Sequence, residues 1–154
     1  MKEYRLNRLF NATSKRCLNV AVDHGFFNNT GFLQGIESMP KTIQTLVDAN
    51  PDAIQLTTGQ ARHLQVVPGK QKPTLVLRTD TANIYGSELP ETRFNLALEE
   101  AILQAVRLDA AAVCVNLFVL PEAPEIHKQC VENILRMKPQ CDHYGMPMMV
   151  EPLV

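Results

Sequence analysis

The chain has 154 residues, of which 45% are hydrophobic, and its 15 Lys and Arg against 16 Asp and Glu give a formal charge of −1. This length suffices for one compact domain, and the lack of a basic run argues against a nucleic-acid binder. No stretch approaches the roughly 20 apolar residues of a membrane helix, and the first residues lack the apolar core of a signal peptide. We therefore expect a cytoplasmic protein whose partner is a small molecule rather than a nucleic acid or a membrane.

The first half of the chain predicts helices alternating with strands. An apolar run over residues 17–25 ends in Asp23-His24-Gly25 and is typical of a buried first strand. The stretch 26–37 is rich in Asn, Gly and Thr and lacks periodicity, which predicts a long loop at the carboxyl end of that strand. The other elements predicted here are a helix over 2–10 lying across one end of the sheet, a helix over 39–50, a strand over 53–57 and a short helix over 61–64.

The second half continues the alternation. A strand over 74–78 is followed by a polar loop to Leu89, and Pro90 opens a predicted helix whose apolar residues are spaced at three and four as far as Leu108. A further helix, apolar at 126, 130, 134 and 137, should be kinked or split by Pro139 and end near Gly145. The remaining predicted strands cover residues 111–119 and 148–151.

Strands and helices that alternate in this way indicate right-handed βαβ units and a parallel sheet in an α/β protein. Two architectures fit: a complete doubly wound sheet of five strands, or the first five-eighths of a (β/α)8 TIM barrel. In a doubly wound sheet both faces pack on helices, whereas a barrel strand turns one face into a narrow interior. Here one strand parity is aliphatic and the other polar, which favours the barrel over the doubly wound sheet. The aliphatic set is Ile54, Leu56, Leu75, Leu77, Val113, Val115 and Leu117, and the other set includes Gln55, Thr57, Arg78, Cys114, Asn116 and Glu151.

Two stretches of the chain resemble a known family. Arg5-Leu6-Asn7-Arg8-Leu9-Phe10 leads into Val20-Ala21-Val22-Asp23-His24-Gly25, and Met146-Pro147-Met148-Met149-Val150-Glu151-Pro152 follows near the end. Together they resemble the class I aldolases of the bacterial and archaeal fructose-bisphosphate and tagatose-bisphosphate type. The resemblance implies a barrel in which a lysine on strand six forms a Schiff base with a keto-sugar phosphate, without a cofactor. It also implies that the loops after strands seven and eight hold the phosphate.

The resemblance assigns roles to two carboxylates. Asp23 matches the acid on strand one that contacts substrate hydroxyls, and Glu151 matches the strand-five glutamate that acts as acid and base in the tagatose branch. The aromatic pair of the fructose branch is absent at that point. The Schiff-base lysine and the phosphate loops would lie outside this chain, so we expect residues 1–154 to form a single, incomplete barrel domain with an N-terminal helix.

The residues alone also single out these positions, with a structural alternative for each. A carboxylate at the tip of a buried strand is costly unless it is paired or used. For Asp23 the alternative to function is an ion pair with Arg78, and for Glu151 it is simple exposure near the end of the chain. Arg78 and Asn116 are candidates for orienting a polyol, although interior polar residues often only bond each other. His24 is a candidate substrate-binding residue, although a histidine there is more often a structural donor.

Metal and disulfide chemistry are not expected. The four cysteines lack CxxC spacing and the density of a disulfide scaffold, which favours reduced thiols. His63, His127 and His143 show no ligand spacing, which argues against a metal site.

The sequence therefore predicts a carbon–carbon lyase, an aldolase that acts on a small-molecule sugar phosphate through a Schiff base. None of the seven lysines falls on the interior parity of a strand, so the chain alone is expected to be inactive. The alternative is a non-catalytic half-barrel that binds a metabolite or assembles with another chain. Unpaired strand edges favour self-association, which predicts a homo-oligomer.

Overall fold

The computed structural model describes residues 1–27, 29–86 and 88–154. The strands are β1 (Asn19–Ala21), β2 (Ala53–Leu56), β3 (Thr74–Arg78), β4 (Asp80–Ala82), β5 (Asn95–Ala97), β6 (Ala112–Phe118) and β7 (Met148–Leu153). The α-helices are α1 (Lys2–Leu9), α2 (Met39–Ala49), α3 (Arg62–Gln65), α4 (Ala101–Arg107) and α5 (Pro124–Tyr144), and 3-10 helices cover His24–Phe27 and Thr30–Leu33. Among the described residues, no helix is both long and apolar enough to cross a membrane.

The main sheet has five parallel strands in the order β1-β2-β3-β6-β7. Successive strands are added on the same side, and the order never reverses as it does in a doubly wound sheet. Strands β4 and β5 form a separate antiparallel hairpin. The topology confirms five strands of an α/β barrel and excludes the doubly wound alternative.

The two faces of the sheet differ as the strand parity predicts. The outer face packs against α2, α4 and α5 in the main apolar core, whose strand residues include Ile54, Leu56, Leu75, Leu77, Val113 and Val115. The inner face carries smaller apolar side chains, which pack against Leu9 of α1; they are Ala53, Val76, Ala112 and Cys114.

Helix α1 packs against the inner face at the amino ends of the strands. The Arg5 Nη1 donates to the Ala110 carbonyl, and the Arg8 guanidinium donates to the Asp109 carboxylate at 3.0 Å and to its carbonyl at 2.8 Å. The apolar side chains of α1 thereby cover the inner face at the amino ends of the strands. The polar part of the inner face lies at the carboxyl ends.

The prediction of a helix that begins at Pro90 is wrong for residues 90–100, because α4 begins at Ala101. Residues Asn95–Ala97, within the predicted helix, instead form a strand. They pair with Asp80–Ala82, which lies in the stretch predicted as a polar loop. The hairpin is held by α5, where the Gln129 side chain accepts from the Asn95 backbone and the Asn133 amide donates to the Asn95 carbonyl. Apolar spacing alone could not reveal these tertiary hydrogen bonds, which outweigh the local helical pattern.

The predicted split of the last helix at Pro139 is also wrong. Helix α5 is assigned continuously from Pro124 to Tyr144 and ends where Gly145 adopts a left-handed conformation with φ 56°. Buried residues flank the proline on both sides, at Met137 and Cys141, whereas Pro139 itself is exposed. Packing of the flanking turns therefore offsets the hydrogen bond that proline removes, a loss of about 3 kcal/mol in an isolated helix.

Candidate active site

A single guanidinium joins the carboxyl ends of four strands. The Arg78 side chain, at the end of β3, is 1% exposed. Its Nε donates to Asp23 Oδ2 at 2.6 Å, its Nη1 to Asn116 Oδ1 at 3.0 Å and its Nη2 to Glu151 Oε2 at 2.5 Å. The structure thus brings together four of the five predicted site residues. It also contains the Asp23–Arg78 ion pair, which the sequence offered as the structural alternative to a functional role for Asp23. We call Asp23, Arg78, Asp80, Asn116 and Glu151 the charge cluster.

The two carboxylates that the sequence singles out share one edge of Arg78. Nε and Nη2 lie side by side on a guanidinium, a fork that often binds both oxygens of one carboxylate. Here the fork is divided between Asp23 and Glu151, and each contributes one oxygen. Among the described residues, neither Asp23 Oδ1 nor Glu151 Oε1 accepts a hydrogen bond. One oxygen of each carboxylate therefore has no donor among the described residues.

Two side-chain amides, from Gln55 and Asn19, form a hydrogen-bonded chain that ends on the Asp23 carboxylate. The Gln55 Nε2 donates to Asp23 Oδ2 at 3.0 Å, and the Asn19 Nδ2 donates to Gln55 Oε1 at 2.9 Å. Sequence reasoning placed Gln55 in the interior but gave it no role. Asn19 on β1 and Gln55 on β2 both follow the interior parity, so Asp23 is fixed through its own strand and the neighbouring one.

Asp80 is a member of the cluster that sequence reasoning missed. It is 1% exposed, its Oδ2 accepts from the backbone N and from the Nδ2 of Asn116, and its Oδ1 lies 3.4 Å from Arg78 Nη1. Burial raises the pKa of the Asp80 carboxyl, although Arg78 and Asn116 oppose that rise. The signal in the sequence was its position two residues after Arg78, on the same strand parity.

Cys114 lies in the interior beside Glu151, with 3.7 Å between its Sγ and Glu151 Oε2. Burial raises the pKa of this thiol, and the nearby carboxylates raise it further, although Arg78 opposes them. The thiolate is the nucleophilic form of cysteine. Cys114 is therefore a neutral packing residue rather than a nucleophile.

The loop after β1 covers the cluster with an aromatic ring. The Phe26 ring centroid lies 4.3 Å from Arg78 Cζ, and Phe26 is 5% exposed. A cation above an aromatic face is attracted by the ring quadrupole, and the ring also excludes water from the guanidinium. The long loop predicted after the first strand thus contributes directly to the site through its first 3-10 helix.

His24 does not join the cluster. It follows Asp23 directly, but it makes none of the side-chain hydrogen bonds described above, and its buried Nδ1 has no partner within the described part of the chain. A cavity of about 460 Å³ adjoins the cluster, lined by Gly25 and Phe26, the turn over residues 57–60, and Arg78, Asp80 and Thr81. No three His, Cys, Asp or Glu side chains among the described residues converge as metal ligands do.

Comparison with known proteins extends this picture. The profile of the family described as "DeoC/LacD family aldolase" matches residues 17–154. The chain belongs to this aldolase family. It is also similar to proteins named 3-hydroxy-5-phosphonooxypentane-2,4-dione thiolase, with 34% identity to that of Photorhabdus laumondii and 33% to that of Yersinia pseudotuberculosis. Each alignment covers 145 residues, which is 94% of this chain and 46% of the relative, so the chain spans about half the length of these proteins.

Membership of the DeoC/LacD family confirms the aldolase resemblance at the level of the family. The names of these relatives do not refer to the fructose-bisphosphate and tagatose-bisphosphate group, to which the sequence showed its finer resemblance. The name of these relatives describes a phosphorylated hydroxy-diketone and a thiolase. The substrate class therefore has to be argued from the site.

The lysines of this DeoC/LacD chain all lie away from the charge cluster. Lys72 Nζ donates to carbonyls at the end of α3, and Lys128 and Lys138 pair with acidic residues one turn away on α5. The others, Lys2, Lys15, Lys41 and Lys70, are exposed. No lysine of the seven contacts Asp23, Asp80 or Glu151 among the described residues.

Proposed function

We propose that this chain supplies the first five strands of an aldolase barrel that makes or breaks a carbon–carbon bond in a phosphorylated hydroxyketone. The observation that carries the proposal is the divided fork of Arg78. It fixes Asp23 and Glu151 at the carboxyl end of the strands and leaves one oxygen of each without a donor among the described residues. Barrel enzymes hold their reacting groups at that end. The family match supports aldolase chemistry, and the site geometry supports a substrate rich in hydroxyl groups.

The two carboxylates differ in exposure, which favours different roles. The Glu151 side chain is 36% exposed and Asp23 is 3% exposed. The exposed carboxylate can exchange its proton with a substrate hydroxyl or with water, as a general acid and base must. The buried one, held by Arg78 and Gln55, is suited to accept a hydrogen bond from a substrate hydroxyl and orient it. We assign acid–base work to Glu151 and orientation to Asp23, with Asn116 steadying Arg78.

Cleavage of an aldol needs a base and an electron sink. The base removes a proton from the hydroxyl beside the bond that breaks, and that oxygen becomes a carbonyl oxygen. The bonding electrons form a C=C bond to the carbonyl or iminium carbon on the other side, whose oxygen or nitrogen takes up the displaced electron pair. We propose that the sink is a Schiff base on a lysine outside residues 1–154, since the chain's own lysines lie away from the cluster. A Schiff-base lysine must be partly deprotonated near neutral pH, which requires burial or a cationic neighbour.

The substrate class follows from two sources that agree in part. The resemblance in the sequence implies a ketose phosphate, and the relatives' name describes a phosphorylated hydroxy-diketone. Both are short ketones that carry a hydroxyl group and a phosphate ester, and we propose this class for the present chain. A second candidate function is a non-catalytic half-barrel that binds such a metabolite, which the positions of the seven lysines favour.

A chimera tests the proposed function. The region of the Photorhabdus laumondii relative that matches this chain is replaced by the corresponding residues of this chain, and the product is incubated with dihydroxyacetone phosphate and borohydride. We expect one stable adduct, on a lysine contributed by the relative, and release of smaller phosphorylated carbonyl compounds from a ketose bisphosphate. The chain alone should form no adduct on its seven lysines.

The unaltered relative and the chain without carbonyl compound serve as controls. An adduct on any lysine of this chain, found by peptide mass spectrometry, would place the reacting carbonyl elsewhere. A folded chimera that binds the phosphorylated ketone but neither traps nor cleaves it would favour the non-catalytic function.

A further inference from the structure

The carboxylates that Arg78 binds differ in how much else holds them. Asp23 Oδ2 accepts from the Gln55 amide at 3.0 Å in addition to Arg78. The Glu151 side chain is 36% exposed, and Arg78 Nη2 is its one close donor among the described residues, since the Cys114 Sγ lies 3.7 Å away. The position of Glu151 therefore depends on the orientation of the guanidinium, whereas Asp23 has a second support.

The orientation of the guanidinium depends in turn on the aromatic ring that it packs against. Its hydrogen bonds to Asp23, Asn116 and Glu151 leave from its edges, because the N–H groups of arginine lie in one plane. Rotation about the Cδ–Nε bond leaves the Nε atom in place but carries Nη1 and Nη2 out of that plane. Arg78 Cζ lies over the Phe26 ring, 4.3 Å from its centroid, and a ring packed at this distance opposes such rotation.

The backbone of Phe26 is fixed on both sides. Its N–H donates to the Asp23 carbonyl at 3.0 Å, and its own carbonyl accepts from Thr81 Oγ1 at 3.0 Å. Phe26 is 5% exposed, and its ring packs against that of Phe27 with 3.9 Å between the centroids. One hydrogen bond thus anchors Phe26 to the segment after β1 and the other to the hairpin of β4 and β5. The place of the ring over Arg78 is therefore determined by the fold.

We propose that Phe26 is a positioning residue that holds the Arg78 guanidinium toward Glu151 and so keeps this carboxylate in place for proton transfer. A cation withdrawn from water is attracted by the negative face of an aromatic ring, and the ring excludes water that would compete with Glu151 for Nη2. The role rests on the proposed function, in which Glu151 is the general acid and base. Asp23 keeps its bond from Gln55, so its orienting role is independent of the ring.

Fluorination of the Phe26 ring tests the contact in the chain itself by NMR. Phenylalanine analogues with one and with three ring fluorines keep nearly the same shape and weaken the negative charge of the ring face. We expect the carboxyl carbon resonance of Glu151 to move stepwise toward that of the exposed Glu132, and furthest in Phe26→Leu. The resonance of Asp23 should move far less. A Glu151 resonance that fluorination leaves unchanged, or that moves no more than that of Asp23, overturns the proposal.

The control is a buried ring that carries no cation. Phe118 is fully buried and packs edge-on against Tyr85, and among the described residues no Lys or Arg lies over its face. Phe118→Leu should lower the stability of the chain without moving the Glu151 resonance. An equal movement of that resonance in Phe118→Leu and Phe26→Leu would show a general effect of lost packing and would overturn the role of the Phe26 ring.

Kinetics of the chimera test the consequence for proton transfer. Phe26→Leu should lower kcat by about 5- to 30-fold, the effect of losing a desolvated cation–π contact, and leave KM unchanged. Phe26→Tyr keeps the aromatic face and should restore most of kcat. Equal losses of kcat in the two variants would overturn the proposal. An inactive unmutated chimera would contradict the proposed function instead, and the resonances of the chain would still decide whether the ring holds Glu151 in place.

Discussion

Replacement of Arg78 by methionine is expected to lower the free energy of unfolding by about 3 to 5 kcal/mol at neutral pH, the usual cost of breaking a buried ion pair from one side. Methionine has a similar length but no charge, so Asp23 and Asp80 would remain buried without their cation. Asp23 and Asp80 would then have to take up protons or draw in water. Urea denaturation of the wild type and the variant measures the change.

A matched control separates burial from charge. Arg107 is 65% exposed and lies 3.6 Å from Glu100, so Arg107→Met should change the stability by about 0–1 kcal/mol. The pH dependence gives a second check. The loss in Arg78→Met should shrink in acid, because protonated carboxyls no longer need the cation. If Arg78→Met costs no more than Arg107→Met, the guanidinium does not hold the strand ends together.

The second large effect is expected on catalysis in the chimera. Glu151→Gln should lower kcat by about 10²- to 10⁴-fold, the usual contribution of a general acid–base group. Glutamine preserves the length of the side chain and can still contact Arg78, so binding of the phosphorylated ketone and the free energy of unfolding should change far less. Steady-state kinetics and urea denaturation of the same preparation separate the two effects.

Glu132→Gln is the control for this substitution. Glu132 is exposed on α5 and pairs with Lys128, so its replacement should leave kcat unchanged. Equal loss of activity in both variants would indicate a general effect on the chimera. Full activity in Glu151→Gln would remove Glu151 from the acid–base role and leave it as a structural partner of Arg78.

The sequence predicted much of this site because a strand has a period of two. Once β3, β6 and β7 are aligned as parallel neighbours, Arg78, Asn116 and Glu151 must project from the same face. Asp23 follows because it lies two residues beyond β1, on the same parity as Asn19 and Ala21. The barrel itself could be chosen over the doubly wound sheet for the same reason, since one parity was aliphatic and the other was polar.

Other features depend on contacts between distant segments. Phe94 and Leu98 have helical spacing with Ala101 and Ile102, yet the Asn95 backbone is held by Gln129 and Asn133 of α5. Local pattern carries no information about such partners. The contact of Phe26 with Arg78 likewise depends on how the loop after β1 folds over the sheet.

Asp80 was missed for a related reason. The strand over residues 74–78 was predicted to end at Arg78, and what followed was interpreted as a polar loop. In the structure β4 begins at Asp80, and the chain stays extended long enough to turn the carboxyl of Asp80 into the same interior. The predicted end of the strand at Arg78 is confirmed, and Asp80 was missed because the short strand β4 lies inside the predicted polar loop.

The most direct test of the account is an NMR titration of the chain with dihydroxyacetone phosphate, because it asks whether the charge cluster binds a phosphorylated carbonyl compound. The competing location is a cavity of about 550 Å³ at the amino end of the sheet, lined by Arg8, Lys70 and Lys72 among others. Asp23→Asn weakens the first location and Lys70→Gln the second. If the phosphorylated compound binds at the charge cluster, we expect shifts in the backbone amides of residues 23–27, 79–81 and 116. These shifts should weaken in Asp23→Asn and persist in Lys70→Gln. Shifts confined to the amino-end cavity, or shifts at the cluster that Asp23→Asn leaves unchanged, would contradict it.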